Sequence, residues 1–299
     1  MRASRSISSI NKQRIFFLVL DGVELLDLAG PAQVFDVAGT LGAPYSLHFC
    51  ASSPQVRSAQ GLSLGQLELL PTIRSSDVVL VAGIALEKLN QPILDENTHH
   101  WLLNAHTVGA AIASVCTGAV VLGEAGLLEG RRCTTHWAVV EDLQQRYPTA
   151  CVLDGVLYVS DRGVMTSAGI ASGIDMALSL VEQQHGPRLA AETARYMVVY
   201  LRRNGSQLQQ SIYLEYRNHL HPAVHHVQNW LAEHAIEPVA LADLAQVANM
   251  SVRSFSRAFK DATGLTSVQY QQRLRLEVAA TLVNNSELSL ARERCPLWF

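Results

Sequence analysis

Residues 109–128 read GAAIASVCTGAVVLGEAGLL. Ala110 to Val115 is a short run of small and apolar residues, the composition of a strand buried on both faces. Cys116-Thr117-Gly118-Ala119 then bends the chain, and VVLGEAGLL continues with a helical pattern. A strand that turns into a helix with cysteine at the bend is a nucleophile-elbow arrangement. It exposes the sulfur at the carboxyl edge of a sheet and aims a helix N-terminus at it, which predicts a lowered thiol pKa. The Thr117 N–H is a candidate oxyanion donor there. Twenty residues on, Thr134-Thr135-His136-Trp137 supplies a histidine that an α/β fold could return to the same edge. On these residues alone, a buried structural cysteine followed by an N-capping threonine is the better reading of a lone cysteine in an α/β chain.

Outward from this stretch, short apolar runs alternate with longer amphipathic ones. IFFLVL (15–20), YSLHFCA (45–51) and DVVLVAG (77–83) read as further buried strands, with helical segments such as AGPAQVFDVAGTLG and DENTHHWLLNAH between them. This alternation predicts a mostly parallel sheet covered on both faces. VLYVSDRGVMTSAG (156–169) predicts a hairpin turning at Asp161-Arg162-Gly163. A helix follows from about Ile170 through His185. After Gly186-Pro187 the character shifts: residues 188–217 hold five arginines against two acids. From Pro222 to Asn284 only helical periodicity remains. The expected organisation is an arm over 1–13, an α/β domain over 14–186, a helical connection over 187–221 and an all-α domain over 222–299.

Composition narrows the function classes. At 299 residues, 48% hydrophobic and 16% charged, the chain has material for two cored domains. A net charge of −3 neither suggests nor excludes nucleic acid, because a reader uses one small face. Cys50, Cys116, Cys133, Cys151 and Cys295 are scattered, odd in number and without a CxxC pair, which fits a reducing cytosol. The six apolar residues after the basic N-terminus are too few for a secretory or membrane-spanning segment. A cytoplasmic protein with no membrane partner is expected. His99-His100 and His225-His226 have no metal-ligand spacing and are expected at the surface, while Trp101, Trp137 and Trp230 are expected in the core. Gly61, Gly65 and Gly83 are isolated turn glycines, so no nucleotide site is expected, and no metal or other cofactor is expected either.

LADLAQVANMSVRSFSRAFKDATG (241–264) carries a second kind of chemistry. Leu241, Leu244, Ala245 and Ala248 share a helix face, and Ser251 can cap a second helix. In that helix Val252, Phe255 and Phe259 are expected inside, with Arg253, Ser256, Arg257 and Lys260 outside and Gly264 ending it. Two short helices around a tight turn, the second basic and polar outward, match a helix-turn-helix. A helical hairpin with a solvated charged face has the same pattern, and residues 219–290 hold five basic against six acidic residues.

The run from Val224 through Ser289, with NMSVRSFSRAFKDATGLTSVQYQQRLRLEVAATLV (249–283), resembles the first half of an AraC/XylS-type DNA-binding domain. That resemblance implies sequence-specific binding to double-stranded operator or promoter DNA; Arg253, Ser256 and Arg257 are expected toward the base edges, Lys260 on phosphate, and Ser251 at the DNA-binding end of the helix that it caps. It also implies a second helix-turn-helix soon after Leu290, where this chain reads ARERCPLWF and stops; a truncated reader is the expectation.

SVCTGAVVLGEAGLLEGRRCTTHW (114–137), with LDLAGPAQVF (26–35), resembles the PfpI-type branch of the class I glutamine amidotransferase-like fold, a flavodoxin-like α/β sandwich. The combination with a helix-turn-helix is similar to GlxA-type regulators of the AraC/XylS family. By that resemblance Cys116 and His136 take the elbow and histidine positions, and Asp27 matches the acid of the isonitrile hydratase branch. Gly83 lies in an oxyanion loop that lacks the Gly-Gly pair. The resemblance further implies a small nitrogenous metabolite as effector; a homodimer is expected because paired half-sites on DNA require paired readers, and an activator is expected to contact RNA polymerase. A non-enzymatic sensor is expected; a thiol hydrolase or hydratase using Cys116 is the alternative, and a relic that neither reacts nor binds DNA is a third reading.

Overall fold

The computed structural model describes residues 12–284 apart from 200, 201, 208 and 210. Residues 1–11 of the expected arm and the 291–299 ending lie outside the described residues. The chain divides between residues 209 and 210 into two compact units.

The first unit contains β1 (Gln13–Leu18), α1 (Leu25–Thr40), β2 (Tyr45–Ala51), β3 (Gln55–Arg57), β4 (Ser63–Gly65), β5 (Glu68–Leu69) and β6 (Val78–Val81). It continues through α2 (Glu96–Thr107), β7 (Ala111–Val115), α3 (Gly118–Glu124), β8 (Arg132–Cys133), α4 (Val140–Arg146) and β9 (Cys151–Val152). The hairpin β10 (Tyr158–Asp161) and β11 (Val164–Ser167) precedes α5 (Ala171–His185) and α6 (Pro187–Tyr196). Seven strands form one sheet in the order β10-β11-β7-β6-β1-β2-β5, parallel except for the β10–β11 pair. This is the α/β sandwich that the alternation predicts.

Alternation along each strand explains the two-faced core. Phe16 and Leu18 of β1, Val79 and Val81 of β6 and Ile112 of β7 join one cluster with Leu102 of α2, Val120 of α3 and Leu143 of α4. Ile15, Phe17, Val78, Leu80, Ala113 and Val115 join the other, with Phe35 of α1, Met176 of α5 and Ala190 of α6. Successive side chains point to opposite faces, so near-continuous apolar runs are needed. The hairpin turns where expected: Arg162 and Gly163 both have positive φ (46° and 80°), the two-residue turn that matches strand twist. Within the stretch expected to connect the domains, α6 buries Ala190 and Ala194 on the first unit's core.

The second unit comprises α7 (Ile212–Glu215), α8 (Pro222–Glu233), α9 (Leu241–Val247), α10 (Val252–Thr263) and α11 (Ser267–Asn284). Phe255, Phe259, Tyr270 and Leu274 centre its core, with Val224, Val227 and Leu231 of α8 and Leu244 and Ala245 of α9. Asn249, at φ 53°, ends α9 in the left-handed conformation, and the Met250 N–H donates to the Ala245 carbonyl. The Ser254 N–H donates to Ser251 Oγ at 3.2 Å, the expected cap of α10. Gly264, at φ 74°, closes that helix. The Arg-Leu-Arg-Leu-Glu stretch of α11 is structural: Arg275 donates to the Ala235 and Glu237 carbonyls, and Glu277 accepts from Ser211 Oγ and the Ile212 N–H.

Three burial expectations are corrected. Leu241 and Val252 are 37% and 44% exposed rather than inside, because each is the first residue of its helix and projects past the packed turns. Trp137 is 56% exposed, lying over His136 in a short 3₁₀ turn (137–139), whereas Trp101 is buried and donates to the Pro71 carbonyl. Trp230 is half-buried and stacked on His234. Among the described residues no helix is long and apolar enough to cross a membrane.

Candidate functional site

Four adjacent parallel strands, β11, β7, β6 and β1, end on the same edge, and the residues just past those ends converge there. Ligand sites of open α/β sheets form in this position. Asp27 follows β1 in the first turn of α1, Gly83 follows β6, Cys116 follows β7, and Gly169-Ile170 follows β11. Glycines let α5 approach both α1 and the sheet: a Cβ on Gly30 would lie 3.0 Å from Ile174, and one on Gly173 would lie 2.9 Å from Val115 of β7. That close approach lets the Ile170 N–H, at the start of α5, donate to Asp27 Oδ1 at 2.7 Å. Pro31 cannot donate to the Asp27 carbonyl, so the backbone turn holding Asp27 lacks its usual helical bond.

Cys116 occupies the elbow that the sequence predicts. Its φ is 57°, a left-handed conformation uncommon for a residue with a Cβ. The strained bend is held from both sides: the Cys116 N–H donates to the Ser167 carbonyl, and Thr135 Oγ1 donates to the Cys116 carbonyl at 2.9 Å. Thr117 locks the neighbouring loop through its side chain. Its Oγ1 accepts from the Ile84 N–H and donates to the Ile84 carbonyl, both at 2.7 Å. Gly83 and Gly169 wall the cysteine closely. A Cβ on Gly83 would come within 2.3 Å of Asp27 Oδ2 and 2.9 Å of Cys116 Cβ; one on Gly169 would lie 2.5 Å from Cys116 Cβ and 2.8 Å from Sγ. Both positions therefore require glycine.

The electrostatics overturn one expectation. Burial pushes the Cys116 thiol pKa up, and the neighbouring Asp27 charge adds to it, outweighing the Thr117 N–H that favours thiolate. The short helix α3, seven residues long, does not offset that desolvation, so burial favours the neutral thiol over the thiolate. Burial also pushes the Asp27 carboxyl up to about 6, against the Ile170 N–H and the Cys116 thiol, which favour its charge. Asp27 is fully buried, and among the described residues its Oδ2 has no partner at hydrogen-bonding geometry; the thiol interacts with it only loosely.

His136 reaches the same region only indirectly, through its neighbour Thr135. Its Nδ1 accepts from the Ala138 N–H at 3.3 Å, burial lowers its pKa, and no hydrogen bond joins it to Cys116 among the described residues. The site is a buried carboxyl–thiol pair closely walled by Gly83 and Gly169, with a carboxyl oxygen able to accept from a hydrogen-bond donor. Gly169 and Ile170 escaped the sequence reading. The available signal was a glycine between a strand and a helix at 167–171, which marks a special backbone without saying what it approaches. Ile170 has a φ of 49°, so the strand-to-helix bend beside Cys116 is also strained.

The second candidate surface is α10. Ser251, Arg253, Ser256, Arg257 and Lys260 are all exposed, and the three cations make no ion pair among the described residues. Ser256 Oγ donates to the Val252 carbonyl at 2.8 Å, which leaves its oxygen lone pairs outward. Ser251 spends its hydroxyl on the helix cap and on Ser254.

Comparisons with known proteins fall on the same two regions. Residues 13–183 match the model of the DJ-1/PfpI family, and residues 244–292 match a helix-turn-helix domain. The HTH-type transcriptional regulator CdhR of Pseudomonas aeruginosa is 28% identical over 284 residues, covering 93% of this chain and 82% of the relative. The isonitrile hydratase of Pseudomonas putida is 35% identical over 173 residues, covering 58% of this chain and 72% of the relative. An AraC family transcriptional regulator from Pseudomonas putida shares the fold with a TM-score of 0.54 at 22% identity, over 62% of this chain and 99% of that one.

Proposed function

Because the chain belongs to the DJ-1/PfpI family and carries a helix-turn-helix domain after it, we propose that it is a DNA-binding transcription regulator whose α/β unit senses a small molecule. The observation that carries this reading is α10: an N-capped helix presenting Arg253, Ser256, Arg257 and Lys260 to solvent beside a tight turn. A recognition helix in a major groove needs that arrangement. Arg253 and Arg257 suit guanine edges, Ser256 suits a base amine, and Lys260 suits phosphate. Ser251 supports them by capping the helix.

In the α/β unit, Asp27, Gly83, Cys116 and Thr117 form the ligand crevice, with His136 at its approach. The unpaired Asp27 oxygen calls for a donor, and a small nitrogenous metabolite supplies one. The protein acts in the cytoplasm as a homodimer, since paired half-sites require paired readers. Ligand affinity that differs between two arrangements of those readers would change transcription, and an activator form would contact RNA polymerase.

The first test is a gel shift of the whole chain against its own upstream DNA across a salt series. Specific binding with a steep salt slope is expected; salt-independent or absent binding sinks the reading. The similarity to an isonitrile hydratase, together with the Asp27–Cys116 pair, favours a thiol enzyme as the second reading. Turnover of an isonitrile that disappears in Cys116→Ser would establish it. The neutral thiol argues for binding without turnover.

A further inference from the structure

Val252 opens α10, yet it belongs to no buried cluster and is 44% exposed. It lines an open notch of about 470 Å³ between α9 and α10, together with Gln246, Asn249, Met250 and Ser251. Arg253 follows it directly, and Ser256 lies one turn on, tied to the Val252 carbonyl through its hydroxyl. A branched apolar side chain therefore projects among polar and cationic groups at the leading end of the helix.

We propose that Val252 reads a thymine, packing its two methyl groups against the base's C5-methyl in the major groove. The inference rests on the reading of α10 as a recognition helix. The first residues of such a helix meet base edges, and the thymine methyl is the apolar group that those edges offer there. The exposed Arg253, Arg257 and Lys260 supply the attraction that would bring this helix end to a polyanion. Valine can neither bond phosphate nor accept from a base amine, so at this position it discriminates by shape and apolar contact alone. It thereby adds a readout distinct from the arginine and serine contacts.

The test uses the whole chain and duplexes that it selects from a random-sequence pool. Each thymine of a selected duplex is replaced in turn by uracil, which removes only the C5-methyl. One position per half-site should lose about fourfold in affinity, the factor that burying one methyl-sized group is worth. Val252→Ala should abolish that sensitivity while melting like the parent, whereas Arg253→Ala should weaken binding with the methyl sensitivity kept. Selected duplexes indifferent to every thymine-to-uracil change would overturn the proposal, as would Val252→Ala retaining the parent's sensitivity. A chain that selects no sequence from the pool overturns the recognition-helix reading and this inference with it.

Discussion

At the sheet edge, Asp27 is fully buried, Cys116 nearly so, and two neighbouring bends hold uncommon backbone: Cys116, Gly169 and Ile170 all have positive φ. On α10 the backbone is regular, and Arg253, Arg257 and Lys260 stand in solvent without ion partners among the described residues. The first region stores cost: a buried carboxyl without a full set of partners and strained bends persist only where surrounding structure holds them. The second region stores nothing and keeps its charges free for a partner. A pocket for a small ligand needs preorganised, desolvated groups, whereas a surface for a polyanion needs accessible cations. Substitutions should therefore change stability at the sheet edge and change binding, with stability unmoved, at the exposed cations of α10.

The largest effect should come from Gly169→Ala. Its Cβ would overlap Cys116 at 2.5 Å on a backbone at φ 110°. Overpacking and backbone strain together cost about 3 kcal/mol or more. Thermal melting should show the α/β unit's transition lowered and that of the helical unit unmoved; a parent-like melt would mean the crevice wall yields easily.

Asp27 should make the α/β unit's stability depend on mild acidity. Its folded pKa, about 6, lies above the ordinary value of 3.8, so between those values the folded chain binds the proton that the unfolded chain lacks. Stability from this group therefore rises as pH falls from about 6 toward 4, by at most about 3 kcal/mol. Denaturant melts across that range should lose this component in Asp27→Asn. An identical pH profile in the variant would show that Asp27 is not the group responsible.

On α10, Arg253→Ala and Arg257→Ala should each weaken specific DNA binding by about 1–3 kcal/mol, with selectivity relaxed at one position. Both variants should melt like the parent. Unchanged affinity and selectivity would return α10 to an ordinary solvated face. The smallest effect belongs to Ser251→Ala, which removes the cap of α10 and should cost the helical unit about 1 kcal/mol. Were that loss to appear as a larger fall in DNA affinity than in stability, Ser251 would be touching DNA as well as capping.

Periodicity made the covered parallel sheet and the all-helical second unit legible. β1 places Phe16 and Leu18 on one face and Ile15 and Phe17 on the other, so an uninterrupted apolar run identifies a strand covered twice. The hairpin turn at Arg162-Gly163 and the Ser251 and Gly264 boundaries of α10 were equally readable, because turn and cap chemistry is local. Local chemistry also gave the elbow at Cys116. It misled at the ends of helices: Val252 and Leu241 carry the inward period but stand outside, since the first turn projects beyond the partner that would cover it.

The state of the crevice depended on distant segments. Whether Cys116 is thiolate or thiol turns on the burial supplied by Asp27, Gly83 and Gly169, residues separated along the chain by tens of positions. Sequence order shows a cysteine before a helix, and that pattern by itself predicts a lowered pKa. Desolvation is a property of the packed surroundings, and it exceeds the pull of a short helix dipole. So the sequence determined the α/β and helix-turn-helix architecture, the elbow and the basic outer face of α10, all set within a few residues of one another. Only the tertiary structure decided that the thiol is neutral, that His136 bonds its own turn instead of the cysteine, and that an Asp27 oxygen is left without a partner, because solvation and long-range hydrogen bonds exist only after the four strand ends have met.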